Sequence, residues 1–178
     1  VGKRALYHFA VDGTTLPSGA VVQSATMTIT NTNDGNENDV FDVYEMTTAW
    51  TESGATWNDA DGAGAGDWST GTFSSADYNT STNYGPATGL KKNQTTDIEV
   101  GGAVANWVAG TNNGLVLVAQ NGELKFGSKE RSGDEPALVI NYLTPTPGGC
   151  SATEPTIGAS QDVTIKDNGG FEENADLK

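Results

Sequence analysis

Residues 158–178 read GASQDVTIKDNGGFEENADLK. Val163 and Ile165 alternate with Asp162, Thr164 and Lys166, the two-residue period of a half-buried strand. A Gly-rich acidic turn follows at Asn168 to Asn174. Ala175 to Lys178 then begins a second extended run, with Ala175 and Leu177 in alternation. At the other end, Val1 to Val11 (VGKRALYHFAV) starts in mid-strand, and Lys178 reads on into Val1 as one continuous text. The expectation is a tail that supplies a strand, through Val163, Ile165, Ala175 and Leu177, to a β-sandwich whose body is residues 1–143.

The body reads as strands from end to end. Arg4 to Asp12 places Tyr7, Phe9 and Val11 on one face. Val21 to Thr30 sets Ala25, Met27 and Ile29 against a solvated Thr face. Val40 to Thr47 is a third strand, and an aromatic corner with Trp50 and Trp57 follows. Asn58 to Asn93 is Gly-rich and poor in large aliphatics, and reads as short strands and excursions. Thr95 to Val100 feeds a helix at Ala103–Ala109. There Val104, Trp107 and Val108 fall at i, i+3 and i+4, and Gly110 stops it. Leu115–Ala119, Glu123–Ser128 and Ala137–Leu143 close the body. Many short strands and one short helix predict an all-β, jelly-roll-like sandwich. Residues 144–157, beginning TPTPGGCS, read as a Pro/Gly linker, and 158–178 as the donor strand.

A sandwich short of one strand exposes apolar core and unpaired backbone groups, so something must complete it. The donor can enter a neighbouring copy, the next repeat of a tandem array, or its own body. The stretch 144–160 spans at most ~50–60 Å at about 3.3 Å per residue, enough for any of these routes. Donation between copies is head-to-tail and builds open filaments unless it closes a ring.

The totals bound the function. Nine basic residues stand against 23 acidic ones, a net charge of −14, which argues against nucleic acid and for a cation-collecting surface. Only 18% of residues are charged, and the wealth of Thr, Asn, Ser and Gly suits an extracellular β-protein. No run approaches the roughly 18 apolar residues of a membrane span. Cys150, the single cysteine, suggests an intermolecular disulfide or an idle thiol.

Four stretches carry a resemblance: ALYHFAV (5–11) with LPSGAVVQSATMTI (16–29), VYEMTTAWTESGATWND (43–59), DIEVGGAVANWVAGTNNGLVL (97–117) and KFGSKERSGDEPALVINY (125–142). They resemble the DNRLRE-type domain, a TGF-β-propeptide-like jelly roll. The resemblance implies a unit of prokaryotic cell-surface proteins that occurs in repeats, with some members classed as carbohydrate-binding modules. It also implies an opening strand, which this chain carries as its tail. The chain departs from the family at His8 and Ala10, where many members have a basic residue and then Asp.

Candidate chemistry is sparse. His8 is the single histidine, too few for a triad or a His-based metal site. Asp34, Asn36, Glu37 and Asp39 crowd one loop with Asn38, an oxygen set suited to Ca²⁺. Asp59, Asp61 and Asp67 form a second oxygen set, and Asp167, Glu172 and Glu173 a third in the tail. No cofactor is required by any of them. Trp50, Trp57 and Trp107 read as core. Trp68 is expected to be exposed and, with Tyr78, Tyr84, Lys125 and Arg131, to form a polysaccharide surface. Asn79 and Asn93 open N-x-S/T glycosylation sequons. No catalytic pair stands out. The expectation is a non-enzymatic, extracellular structural subunit whose partner is its own next copy. A carbohydrate-binding module is the alternative.

Overall fold

Alternation along the strands builds the core directly. In β2 (Val21–Thr30), Ala25, Met27 and Ile29 are fully buried while Ser24, Thr26 and Thr28 remain partly exposed. The computed structural model describes residues 3–33, 39–64, 66–88, 91–122, 124–146, 149–153, 155–166, 171–172 and 175–177, with backbone alone for 88, 145–153 and 162 onward. The remaining strands are β1 (Lys3–Phe9), β3 (Val40–Glu45), β4 (Ala87–Thr88), β5 (Thr95–Glu99), β6 (Leu115–Ala119), β7 (Leu124–Phe126), β8 (Ala137–Thr146), β9 (Gly149–Thr153), β10 (Thr156–Lys166), β11 (Phe171–Glu172) and β12 (Ala175–Leu177). The helix α1 spans Gly101–Ala109. Among the described residues, no helix is long and apolar enough to cross a membrane.

The main sheet runs β4-β3-β6-β1-β10-β8-β2-β5, every neighbouring pair antiparallel. It curls into a half-barrel. The inner faces of β1, β3 and β6 therefore meet those of β2, β5 and β8 around one core. Phe41, Leu117, Met27 and Ile140 lie in it, and α1 closes it with Ala103, Val104 and Trp107. The fold is the all-β, sandwich-like architecture with one short helix that the strand pattern predicts.

The tail holds the two halves together. β10 first pairs β8 (Ile157↔Leu138), then crosses to β1 (Leu6↔Val163, Arg4↔Ile165). In the single chain described, the tail thus completes its own sandwich. β12 pairs β7, setting Ala175 opposite Phe126 and Leu177 opposite Leu124, both buried. β12 also lies close to β1, β6 and β10.

The stretch read as a linker is a hairpin. Thr144–Thr146 extends β8, and β9 returns beside it from Gly149, which pairs Thr146. β2 ends opposite Leu143, so Pro145 lies beyond it, where β8 has a neighbour on one side only. A proline lacking its N–H is tolerated there. Composition alone could not separate this edge hairpin from a linker.

A β-bulge sets the faces of β10. The register passes from Phe9↔Ala159 to His8↔Gln161, leaving Ser160 as the extra residue. Ile157 and Ala159 pack on the main core. Beyond the bulge the odd-numbered positions change face, since one inserted residue inverts a period of two. Val163 and Ile165 therefore register with Leu6 and Arg4, on the sheet's outer side. Ser160 Oγ donates to the His8 carbonyl at 2.8 Å and lies 2.7 Å from His8 Nδ1. With the single hydroxyl proton used on the carbonyl, Nδ1–H is the donor to Oγ.

That outer side carries a second core. Leu6 and Val116 are buried on it beneath a flap, residues 46–84, whose Met46, Trp50, Ala55, Ala60, Trp68 and Phe73 pack against them. Of the stretch 58–93, expected to hold short strands and excursions, the described residues include one short strand, β4, and otherwise mostly form this irregular cover, with one 3₁₀ turn at Ser75–Asp77. Trp68 is buried, 1% exposed, rather than presented to solvent. Its ring meets Phe73 edge-on at 5.0 Å and its Nε1 donates to Thr56 O at 2.8 Å.

Asp77 fastens the flap. Its carboxylate is fully buried and accepts from Ser69 N (2.8 Å), Thr48 Oγ1 (2.9 Å), Ser74 N (2.9 Å) and Ser74 Oγ (3.3 Å). Burial alone would raise its pKa, but these donors outweigh it and hold the group below the usual carboxylate range. Asp77→Ala leaves several donors unsatisfied and is expected to lower stability by about 2–4 kcal/mol in urea unfolding. In the native chain this contribution is complete above the unfolded pKa of 3.8 and is lost as pH falls through the lower folded value.

His8 titrates in a separate window. Burial lowers its pKa beneath the ordinary 6.5, against a smaller opposing effect of the Asn112 backbone. The folded chain therefore favours the neutral ring. Its contribution is full above pH 6.5 and disappears as pH falls through the folded value. The stability from urea unfolding is expected to fall further between pH 7.5 and pH 5 in the native chain than in His8→Gln. Equal falls would remove His8 from the pH response.

Candidate functional site

The slot between β1 and β8 is a candidate site for an extended segment. Its walls are two strands brought together by the curl of the sheet, and its occupant is β10. What it recognises is extended backbone: Lys3 to Phe9 on one side and Ala137 to Val139 on the other register with Lys166 to Ala159 and Gly158 to Thr156. Main-chain pairing of this kind supplies affinity, and the alternating side-chain positions supply register. Tyr7 helps to hold one wall, its hydroxyl donating to Gly127 O at 3.2 Å. Gly114 lets β6 approach β1. Its φ is +81°, and a Cβ there would fall 2.2 Å from Tyr7 O.

The Gly-rich part of the flap gathers a cluster that spacing alone only suggested. One ligand atom from each of Asp59, Asp61 and Asp67 lies within 4.8 Å of the others. One oxygen of each carboxylate orders the loop: Asp59 Oδ1 accepts from Gly62 N (2.7 Å), Asp61 Oδ1 from Ala63 N (2.8 Å) and Asp67 Oδ1 from Ala60 N (2.6 Å). Carboxylate oxygens of this kind are hard donors of the type that suits Ca²⁺. Gly54 lets this loop close on the flap, since a Cβ there would stand 2.0 Å from the Asp61 carbonyl carbon.

A third feature lies where the open ends of the curled sheet approach each other. A cleft of about 280 Å³ is lined by Tyr84, Pro86 and Ala87 from the β4 side and by Thr96, Asp97, Ile98 and Glu99 from β5. Asp97 Oδ1 accepts from Thr28 Oγ1 (2.6 Å), and Glu99 Oε1 from Ala25 N (3.0 Å) and Gly101 N (2.9 Å). Tyr84 lies against the first turn of α1, its hydroxyl 3.2 Å from where a Gly102 Cβ would be. Burial and then the charge of Glu45 raise the Tyr84 pKa. Burial likewise raises Glu45, while Asn106 Nδ2, donating to Glu45 Oε2 at 2.9 Å, and the Trp107 indole favour its charged form. The Trp107 N–H nevertheless makes no well-formed hydrogen bond, the sole buried side-chain donor in that position among the described residues. Neither Glu45 nor the two β5 carboxylates carries a sequence signal. Only the topology unites them.

The residues expected to form a polysaccharide surface are dispersed. Trp68 is buried in the flap, and Tyr78 stacks on Tyr44 at 5.0 Å. Lys125 lies in β7, and Arg131 Nε is bonded to Asp134 Oδ2 at 2.6 Å. Nearby Lys129 bridges Glu52 and Glu130. Against the cost of burial, those carboxylates raise its pKa well above the usual lysine range. Tyr84 lines the cleft between β4 and β5.

Of the first oxygen set, Asp34, Asn36 and Glu37 lie outside the described residues, as does Asn38. Asp39 is buried against Gly122, whose φ is +71° and where a Cβ would fall 2.0 Å from the carboxylate. Asp167 and Glu173 also lie outside the described residues. Cys150 and Glu172 are described by backbone alone, in β9 and β11. Asn79 is half-buried, whereas Asn93 is exposed.

Comparison with protein-family models, with curated proteins and with solved structures returns no match. Calcium added to the full chain is expected to raise its thermal midpoint, and Asp59→Asn with Asp61→Asn to abolish the rise. A midpoint unmoved by millimolar calcium would show that the triad only orders its loop.

Proposed function

We propose that this chain is an extracellular structural subunit whose tail completes a β-sandwich and can do so for an adjacent copy, linking copies head-to-tail into a filament. One observation carries the reading. β10 occupies an interior position, with β1 on one side and β8 on the other, yet the β8–β9 hairpin leads into it and it belongs to the C-terminal segment. If that hairpin opens, β8 runs straight on into β9 and carries 156–177 to the slot of the next copy. Every ladder partner is then the same residue on another molecule. Such exchange is a low-cost route to association, and its head-to-tail form propagates. The resemblance to repeating cell-surface domains and the acidic, Thr- and Asn-rich composition support a place outside the cell. No catalytic role is proposed, and Ca²⁺ at Asp59, Asp61 and Asp67 is proposed as an accessory ion.

The cleft at Tyr84 supports a second reading, a carbohydrate-binding module. There a sugar ring would meet the tyrosine, and the free oxygens of Asp97 and Glu99 would accept its hydroxyls.

Size measurement and electron microscopy of residues 1–178 and 1–150, refolded at high concentration, test the first reading. Filaments or ladders of oligomers from the full chain are expected. The truncated chain should be unstable and should recover when a peptide of residues 156–178 is added. Two equally stable monomers would overturn tail completion. A stable full-length monomer beside an unstable truncation would confine completion to the same chain and overturn the filament.

A further inference from the structure

The two sequons occupy different environments, and the difference singles out one modification site. Asn79 is half-buried in the flap. Its backbone N–H donates to Glu45 O at 2.8 Å, its Oδ1 accepts from Ser81 N at 3.0 Å, and the preceding Tyr78 is stacked on Tyr44. An oligosaccharide there would have to leave between the flap and β3. Asn93 lies in a turn in which Lys91, Lys92, Asn93, Gln94 and Thr95 are all exposed. Its φ is +65°, the left-handed region that asparagine tolerates better than most residues. The turn is held by backbone and Gln94: Gln94 N donates to Lys91 O (3.1 Å), Lys91 N to Gln94 Oε1 (3.0 Å) and Asn93 N to Asn31 O (2.8 Å). Neither the Asn93 side-chain carboxamide nor the Thr95 hydroxyl is used in that scaffold.

We propose that Asn93 is an N-glycosylation site. Asn93 Nδ2 attacks C1 of the first sugar of an oligosaccharyl diphospholipid. The Nδ2–C1 bond forms as the bond from C1 to the diphosphate oxygen breaks. The diphospholipid leaves with the electron pair, and the Nδ2 proton passes to a base of the transferase. The position gives the glycan a physical consequence. Thr95 opens β5, the last strand of the sheet order, whose outer edge has no strand beside it among the described residues. Asp97 and Glu99 already place charge along that edge, and a hydrated oligosaccharide at its start would shield it from pairing with other sheets.

The test is secretion of the full chain, behind an added leader, from a host with an N-oligosaccharyltransferase that modifies a control protein. Intact mass is the readout. One glycan is expected, lost in N93Q and in T95V and retained in N79Q. T95V keeps the Asn93 backbone and a strand-forming residue, and circular dichroism shows whether each variant folds. An unmodified native chain, or a glycan lost only in N79Q, would overturn the proposal.

Discussion

An interior strand supplied by the C-terminal segment is the constraint on which the rest of this fold depends. Among the described residues, β10 is the sole link in the ladder between the β4-β3-β6-β1 half and the β8-β2-β5 half. Without it both β1 and β8 become edges, and each exposes a row of unpaired N–H and C=O groups beside an apolar face. The core between the halves relies on the same strand, because Ile157 and Ala159 pack against it. Completion of the sandwich is therefore a long-range event. Lys3 must find Lys166, and only the intervening strands set the distance between them. Contacts so far apart in sequence form late and slowly in a chain of this kind.

The bulge at Ser160 reconciles the tail with two different neighbours. Beside β8 the strand faces one core. Beside β1 it continues a sheet whose outer face carries the flap over Leu6 and Val116. β1 is correspondingly apolar on both faces: Tyr7 and Phe9 turn inward and Leu6 turns to the flap, all fully buried. LVLVA in β6 repeats the pattern, with Leu115 and Leu117 in the main core and Val116 under the flap. A continuous apolar run marks a strand covered on both sides. The flap that provides the second cover lacks regular structure and is fixed by polar groups, with Asp77 at the centre. A buried carboxylate with several well-placed donors orders such a segment more specifically than apolar contact alone, because loss of any one geometry leaves a charge poorly solvated.

What was legible in the sequence follows this division. Strands with one wet face, such as β2, show alternation and could be placed to within a residue. The short helix showed its inward Val104 and Trp107. Trp68 was misplaced because a Gly-rich context resembles an exposed loop. Its burial is decided by Phe73, Thr56 and the β1–β6 surface, none of which is close to it in a strand period. The hairpin at 144–153 was hidden by its Pro/Gly composition, and Pro145 is harmless there only because β2 does not reach it. The triad of aspartates was visible as a composition, but its convergence depends on backbone N–H groups that turn the loop. The cleft at Tyr84 carried no signal in β5, since Asp97 and Glu99 there read as ordinary edge charges.

Charge favours the proposed strand-based junction over a side-chain interface. With a net charge of −14, two copies that approach face to face repel, and at physiological ionic strength that repulsion is felt within about 8 Å of contact. Apolar patches cannot compensate, because among the described residues Val21 alone is a large hydrophobic side chain exposed to solvent. Backbone pairing is indifferent to both limits. A β10-like segment brings its own N–H and C=O groups, satisfies those of β1 and β8 together, and delivers Ile157 and Ala159 to a core that is otherwise open. An acidic surface then acts as a filter. In the proposed filament it would suppress lateral association everywhere except at the slot, where the attraction is local, directional and carried by groups that have no net charge.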